Sequence, residues 1–314
     1  MSQVEVEIQG KHLNLSNLEK VLYPATGFTK AQMIDYYTRI APVLLPHLKN
    51  RPLTLKRYPE GVENEFFYEK ECPSHRPPWV HTTPVWSDGN ARDINYCLID
   101  DLPTLVWTAN LADIELHTSL SLSTDTNRPT VLAFDLDPGA PANILDCAQV
   151  ALWIYEALNE LKLKSFAKTS GSKGLQVYAP LNTPVGYDQT KPFAHGLAGV
   201  LEEIHPQYIV SNMRKNLRKG KVFIDWSQND AHKTTVCVYS LRARAHPMVS
   251  TPVTWDEVKA SLRKKQPLEF DYRQVSQRVA TLGDLFAPTL KMKQRLPGLD
   301  TLKILTARIS RPEK

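Results

Sequence analysis

Asp135 and Asp137 stand one residue apart in the run TVLAFDLDP (130–138). That run is apolar and β-rich and stops at Pro-Gly, so it predicts a strand. Side chains two residues apart on a strand point the same way. Two carboxylates aimed together among apolar neighbours repel and raise each other's pKa unless a cation lies between them. Hard oxygen ligands of this type suit Mg2+ or Mn2+. Taken alone, the pair also fits the solvated cap of an Asp-Pro-Gly turn. Asp225 adds a third carboxylate, in the apolar run Val222-Phe223-Ile224-Asp225-Trp226. Burying it unpaired is costly, so it calls for a cationic partner or a metal. On neighbouring strands the three aspartates would hold two cations about 4 Å apart, a pairing that stabilises the attacking and leaving oxygens of phosphoryl transfer.

A second cluster is the segment Lys168-Thr-Ser-Gly-Ser-Lys-Gly174 between two strand-like runs. Ser170, Gly171, Ser172, Lys173 and Gly174 offer hydroxyls, glycines and an ammonium beside backbone N–H groups able to converge on an anion. The spacing is not that of a Walker A loop, and a strand comes next instead of a helix. A plain hairpin loop fits the local pattern equally well. Gln176 opens the next strand. Arg242 and Arg244, in SLRARAHP, form another i, i+2 pair expected to share a strand face, and guanidinium forks suit phosphate oxygens. A solvated basic edge strand is the alternative. His117, in IELHTS, reads by itself as a core histidine.

Elements must position these groups. Thr29 and Gln32 form a capping-box pattern, and apolar residues at helical spacing predict a helix over 30–41 ending near Pro42. Residues 51–71 read as two strands joined at Pro59–Gly61, 101–111 as a short buried helix and 114–119 as a strand. Helices are expected at 143–161 and 193–205. Strands are expected at FAKTS, LQVYAPL, 221–227 and 235–245. Strands alternating with helices predict an α/β (α+β) fold, a mixed central sheet flanked by helices with a small N-terminal lobe. One domain over 1–295 is expected, with an N-terminal part to about 60, a core from 61 to 295, and a basic tail over 296–314 without clear periodicity.

Of 314 residues, 38 are Lys or Arg and 33 are Asp or Glu. Residues 1–210 carry a net of −7 and residues 211–314 a net of +12, which fits either a polyanion partner or a solvated basic surface. The 42% hydrophobic content supports a folded core and excludes a disordered chain. No apolar run approaches membrane-spanning length, and MSQVEVEIQ has no apolar leader, so neither a membrane span nor a signal peptide is expected. Cys72, Cys97, Cys147 and Cys237 lie far apart, so no disulfide framework or zinc site is expected and a reducing cytoplasm fits.

AFDLDP (133–138), KTSGSKGLQVY (168–178) and VFIDWSQN (222–229) fall in the order and spacing of the three motifs of archaeo-eukaryotic primase-type polymerases. The chain most resembles the polymerase domain of bacterial DNA ligase D, which acts in non-homologous end joining. NLEKVLYPATGFTK (17–30), RPLTLKRYPEGV (51–62), FYEK (67–70), NLADIELHT (110–118) and YSLRARAHPMVSTPVTWDEV (239–258) carry the likeness to about residue 295. The resemblance implies a primase-polymerase core in which Asp135, Asp137 and Asp225 bind two divalent cations, Mn2+ or Mg2+. It implies triphosphate binding by Ser170, Lys173, His117, Arg242 and Arg244, with Gly171, Ser172 and Gly174 in the same loop. Phe67 and Tyr68 match an aromatic pair that stacks on bases, and Lys56 a basic residue near the nucleotide. Asn17, Lys20 and Lys30 match a pocket for the 5′-phosphate of a DNA end. Gln176 departs from the family, where His is common. Gln can donate a hydrogen bond but carries no charge.

The activity implied is nucleotidyl transfer from an NTP or dNTP, ribonucleotides preferred, to 3′ ends at gaps and breaks. Ku and an ATP-dependent DNA ligase are the implied partners, in the cytoplasm at the nucleoid. A metal-dependent nuclease and a non-catalytic 5′-phosphate-binding module are the alternatives.

Overall fold

A computed structural model describes residues 3–87 and 89–309. The elements fall into two compact units. The first comprises Met1–Thr126, Thr234–Ser250 and Phe270–Asp284; the second comprises Asn127–Lys233, Thr251–Glu269 and Leu285–Lys314. The fold is mixed α/β as expected, but the strands build two six-stranded sheets, one in each unit.

The sheet of the second unit runs in the order Ile209–Val210, Val222–Asp225, Val131–Pro138, Leu175–Pro180, Phe166–Thr169 and Pro252–Val253. All neighbours are antiparallel except the first pair, which is parallel. All six residues of Leu175–Pro180 are buried, as are Val131 to Phe134. Such continuous burial marks strands covered on both faces. Helix Ile144–Glu160 lies against both strands, and helix Tyr187–Ile204 packs on Ile209–Val210.

The first unit's sheet runs Thr235–Val236, Asp113–Thr118, Leu53–Arg57, Arg92–Cys97 and Thr82–Ser87, with Phe67–Glu69 also paired to Leu53–Arg57. Helix Leu102–Asn110 packs on helix Lys30–Leu48.

Several local expectations are corrected. The capping box of Thr29 and Gln32 forms, but the helix runs on through Pro42 and Pro46 to Leu48. Leu44, His47 and Leu48 are buried there, and their packing outweighs the lost proline N–H groups. The run 235–245 is two short strands, Thr235–Val236 and Leu241–Ala243, because Tyr239 between them takes a left-handed φ of 67°. The tail forms helix Asp300–Ile309, with Leu302 and Leu305 buried one turn apart. At Gly196 an added Cβ would come 2.7 Å from Leu302, so the glycine makes room for that helix. The last residues of the expected tail, 310–314, lie outside the described residues.

Cys72 and Cys97 form a disulfide, contrary to the expectation from their spacing. The Cys72 N–H donates to the Asn95 carbonyl at 2.7 Å, which brings the two Cα atoms within 4.9 Å across 25 residues of sequence. No helix of the described residues is long and apolar enough to cross a membrane.

Candidate active site

In the second unit, one line of paired residues crosses the sheet. Asp225 stands opposite Asp135, Asp135 opposite Gln176, and Gln176 opposite Lys168. Directly paired residues share a face, and Asp137, two along from Asp135, shares it too. Asp135 is half-buried and Asp137 exposed. Burial, then the charge of Asp137 and that of Asp225, push the Asp135 carboxyl up to about 7, against a hydrogen bond from Gln176 and the charge of Lys168. Lys168 is 1% exposed and donates to the Gln176 Oε1, which also accepts from the Tyr178 hydroxyl at 3.3 Å. With Oε1 so occupied, the Gln176 amide nitrogen is the end that serves Asp135. A neutral glutamine thus links a buried ammonium to the carboxylate.

Asp225 is clamped by Ser227 and Gln228. Its Oδ1 accepts from the Ser227 N–H at 2.9 Å and hydroxyl at 2.6 Å, and its Oδ2 from Gln228 Nε2 at 2.8 Å. Asn229, fully buried, exchanges two bonds with the backbone of Ala133: it accepts from the N–H at 3.0 Å and donates to the carbonyl at 2.7 Å. This side chain pairs with the strand as another strand would, two residues before Asp135.

The Ser170–Gly174 loop is tied internally. Ser170 donates its N–H to the Gly174 carbonyl at 2.8 Å, and its Oγ accepts from the N–H groups of Ser172 and Gly174, each at 3.2 Å. A Cβ on Gly174 would fall 1.9 Å from the Leu136 carbonyl oxygen. Only glycine lets the loop approach the strand between the two aspartates. Gly171 has φ 68°, and Lys173 is exposed at the tip.

Among the described residues, no three His, Cys, Asp or Glu side chains form a group ready to hold a metal ion. The three aspartates share a face, but Asp225 is turned to its own donors. The donor set nonetheless fits a hard divalent cation. Asp135 and Asp137 press like charges together, and Asp225 Oδ2, which accepts one hydrogen bond, keeps a lone pair.

The first unit gathers Lys56, Tyr68 and His117 around a residue that the sequence did not single out, Glu115. Lys56 pairs with Glu115 on one side and Tyr68 on the other. Glu115 is 2% exposed and meets Lys56 Nζ at 3.2 Å, His117 Nε2 at 3.0 Å and Arg242 Nε at 3.2 Å. Burial would raise its carboxyl, but the His117 hydrogen bond and the charges of Arg242 and Lys56 outweigh it and hold it well below the usual carboxylate range. Burial pushes His117 down, against Glu115. Lys56 Nζ also lies over the rings of Phe66 at 4.6 Å and Tyr68 at 5.3 Å. Phe66 and Tyr68, 5.5 Å apart, form the exposed aromatic edge. Phe67 pairs with Arg57, and strand alternation turns it to the other face.

Arg244 does not share a strand with Arg242. The strand ends at Ala243, and the Arg244 N–H turns back to the Arg242 carbonyl at 2.9 Å, leaving Arg244 exposed in the bend. Asn17, Lys20 and Lys30 do come together. The Lys20 N–H donates to the Asn17 carbonyl, the Lys30 N–H to the Lys20 carbonyl, and Lys30 Nζ to the Ser16 carbonyl at 2.7 Å. Burial, then Lys20 and Arg57, push buried Lys30 down to about 8. Lys20 pairs with Glu60 at 2.7 Å.

A sheet that lines up three carboxylates beside a tied Ser–Gly–Lys loop is an arrangement that phosphoryl-transfer chemistry can use. The family described as LigD, primase-polymerase domain, matches residues 29–286. The chain belongs to this family. It is 40% identical to the multifunctional non-homologous end joining protein LigD of Mycolicibacterium smegmatis, over 88% of this chain and 36% of that protein. It is 31% identical to the bifunctional non-homologous end joining protein LigD of Bacillus subtilis, over 80% of this chain and 40% of that one. The chain thus spans well under half the length of these curated relatives. The polymerase domain of Mycobacterium tuberculosis ligase D, solved in complex with DNA, superposes with a TM-score of 0.83 at 38% identity, covering 90% of this chain and 99% of that one.

Proposed function

We propose that this domain extends 3′ ends at gaps and breaks in DNA during non-homologous end joining, adding NTPs or dNTPs with ribonucleotides preferred. The observation that carries the reading is the register that sets Asp225 against Asp135 with Asp137 two residues along. Asp135, Asp137 and Asp225 would hold two divalent cations, Mn2+ or Mg2+. Bound there, such cations lower the pKa of an attacking hydroxyl and neutralise a leaving pyrophosphate. The chain's own groups do the positioning. Gln176 and Lys168 orient Asp135, while Ser227, Gln228 and Asn229 hold Asp225 in place. Ser170 fixes the loop whose N–H groups and Lys173 offer donors to phosphate oxygens.

In the first unit, Lys56 and Arg242 supply charge for a triphosphate with His117 beside them, and the Phe66–Tyr68 edge supplies a stacking surface that tolerates any base. Asn17, Lys20 and Lys30 would take the 5′-phosphate of a DNA end, where two ammonium groups suit a dianion. The family and the LigD relatives support the end-joining setting. Ku and an ATP-dependent ligase would be its partners, at the nucleoid in the cytoplasm.

Primer extension on a gapped duplex, with and without a downstream 5′-phosphate, tests the reading. Extension with Mn2+, faster with rNTP than dNTP and stimulated by the phosphate, is expected. Shortening of the DNA without added nucleotide would point to a nuclease instead.

A further inference from the structure

We propose that Glu115 is a positioning residue for the incoming nucleotide: from the interior of its sheet it holds Lys56, His117 and Arg242 in register for a triphosphate. The inference rests on the reading of those three residues as nucleotide-binding. They come from three separate strands, Leu53–Arg57, Asp113–Thr118 and Leu241–Ala243, and Glu115 touches all of them. Its Oε1 also accepts from the Ala243 N–H at 3.1 Å, which fixes the strand that carries Arg242.

Lys56 and Arg242 converging without a carboxylate between them would repel and separate, and the His117 Nε2–H beside them needs an acceptor. A carboxylate only accepts, so His117 must carry its proton on Nε2, and Nδ1 is the ring nitrogen turned away from Glu115. An ammonium has three donors, so Lys56 has donors beyond the one directed at Glu115; Arg242 Nε lies 3.2 Å from Glu115 as an ion pair without a hydrogen bond, and its guanidinium carries four further N–H donors.

The sign of the effect separates positioning from simple charge. Removing a negative charge beside a triphosphate site should tighten binding if Coulomb attraction alone matters. Positioning requires the reverse. The test uses the whole chain and the variants Glu115→Gln, Glu115→Asp and Arg242→Ala. Thermal melting is recorded, and KM for the nucleotide and kcat are measured by primer extension.

Glu115→Gln should raise the nucleotide KM about tenfold or more, with kcat little changed. Glu115→Asp keeps the charge but draws it back by one methylene; it should raise KM less and keep the melting temperature. If Glu115→Gln does not fold, Glu115→Asp decides by the same readout. An unchanged or lower KM in the Glu115 variants, while Arg242→Ala raises it, overturns the inference and leaves the nucleotide reading standing. If neither Glu115 nor Arg242 moves KM, the reading of the three residues as nucleotide-binding fails and the inference fails with it.

Discussion

Asp225 lies directly across from Asp135 in the antiparallel pairing of Val222–Asp225 with Val131–Pro138. The same pairing sets Asp137 opposite Phe223, so two carboxylates of one strand and one of its neighbour share a face. The clamp on Asp225 and the glutamine link to Lys168 both act on this pair. The geometry of the proposed cation site therefore depends on a strand register.

Asp137→Ala should lower nucleotide incorporation by at least about a thousandfold, the several kcal/mol that a bound cation contributes to charge stabilisation. Binding to DNA ends should be largely kept, because Asn17, Lys20 and Lys30 belong to the other unit. Parallel extension and end-binding assays check this; full activity would refute a role in catalysis.

Gly174→Ala would drive a methyl into the Leu136 carbonyl oxygen, backbone against backbone. Loop and strand must then part, at a cost of about 1–3 kcal/mol by analogy with overpacked cores. A lower melting temperature together with weaker nucleotide use is expected. Unchanged values for both would show that the close approach is not needed.

Asn229→Ala removes both bonds to the Ala133 backbone and leaves that N–H and carbonyl unpaired in the interior. The cost should be about 1–3 kcal/mol, read as a lower midpoint in urea unfolding. Incorporation should also fall, since the Asp225 loop loses its tie to the Asp135 strand.

Lys30 gives a pH dependence. Burial and the neighbouring Lys20 lower its pKa to about 8, so its charge is lost as pH rises through that value. A 5′-phosphate dianion prefers the protonated form. Affinity for phosphorylated ends should fall as pH rises through about 8, while ends bearing a 5′-hydroxyl should show little change. Fluorescence titration of paired oligonucleotides checks this, and an equal fall for both would contradict the assignment.

Part of the proposed site is legible in the sequence because two separate apolar runs each carry a carboxylate, although the Asp135–Asp137 pair alone also fits a turn cap. LAFDLDP and VFIDW place acids inside apolar β runs, where a charge needs a reason to be there. The Ser–Gly–Ser–Lys–Gly loop and the capping box of Thr29 are local patterns and fold as such. Glu115 is hidden because IELHTS alternates like any half-buried strand, and its partners at 56, 117 and 242 are brought to it by topology. Arg242 and Arg244 mislead because their spacing suits a single strand, whereas the strand ends at Ala243. Phe66 is hidden because strand phase, set by the pairing of Lys56 with Tyr68, decides which aromatic shares the face. The Cys72–Cys97 bridge depends on the approach of Cys72 to Asn95, which spacing does not encode.

The most direct test of the central claim is a Mn2+ titration of the whole chain monitored by electron paramagnetic resonance, comparing the native protein with Asp137→Ala and Asp225→Asn. The native protein should take up Mn2+ and gain affinity when a nucleoside triphosphate is added, and both variants should lose most of that uptake while melting as cooperatively as the native chain. Equal Mn2+ binding in all three would contradict the assignment of these aspartates as the cation site.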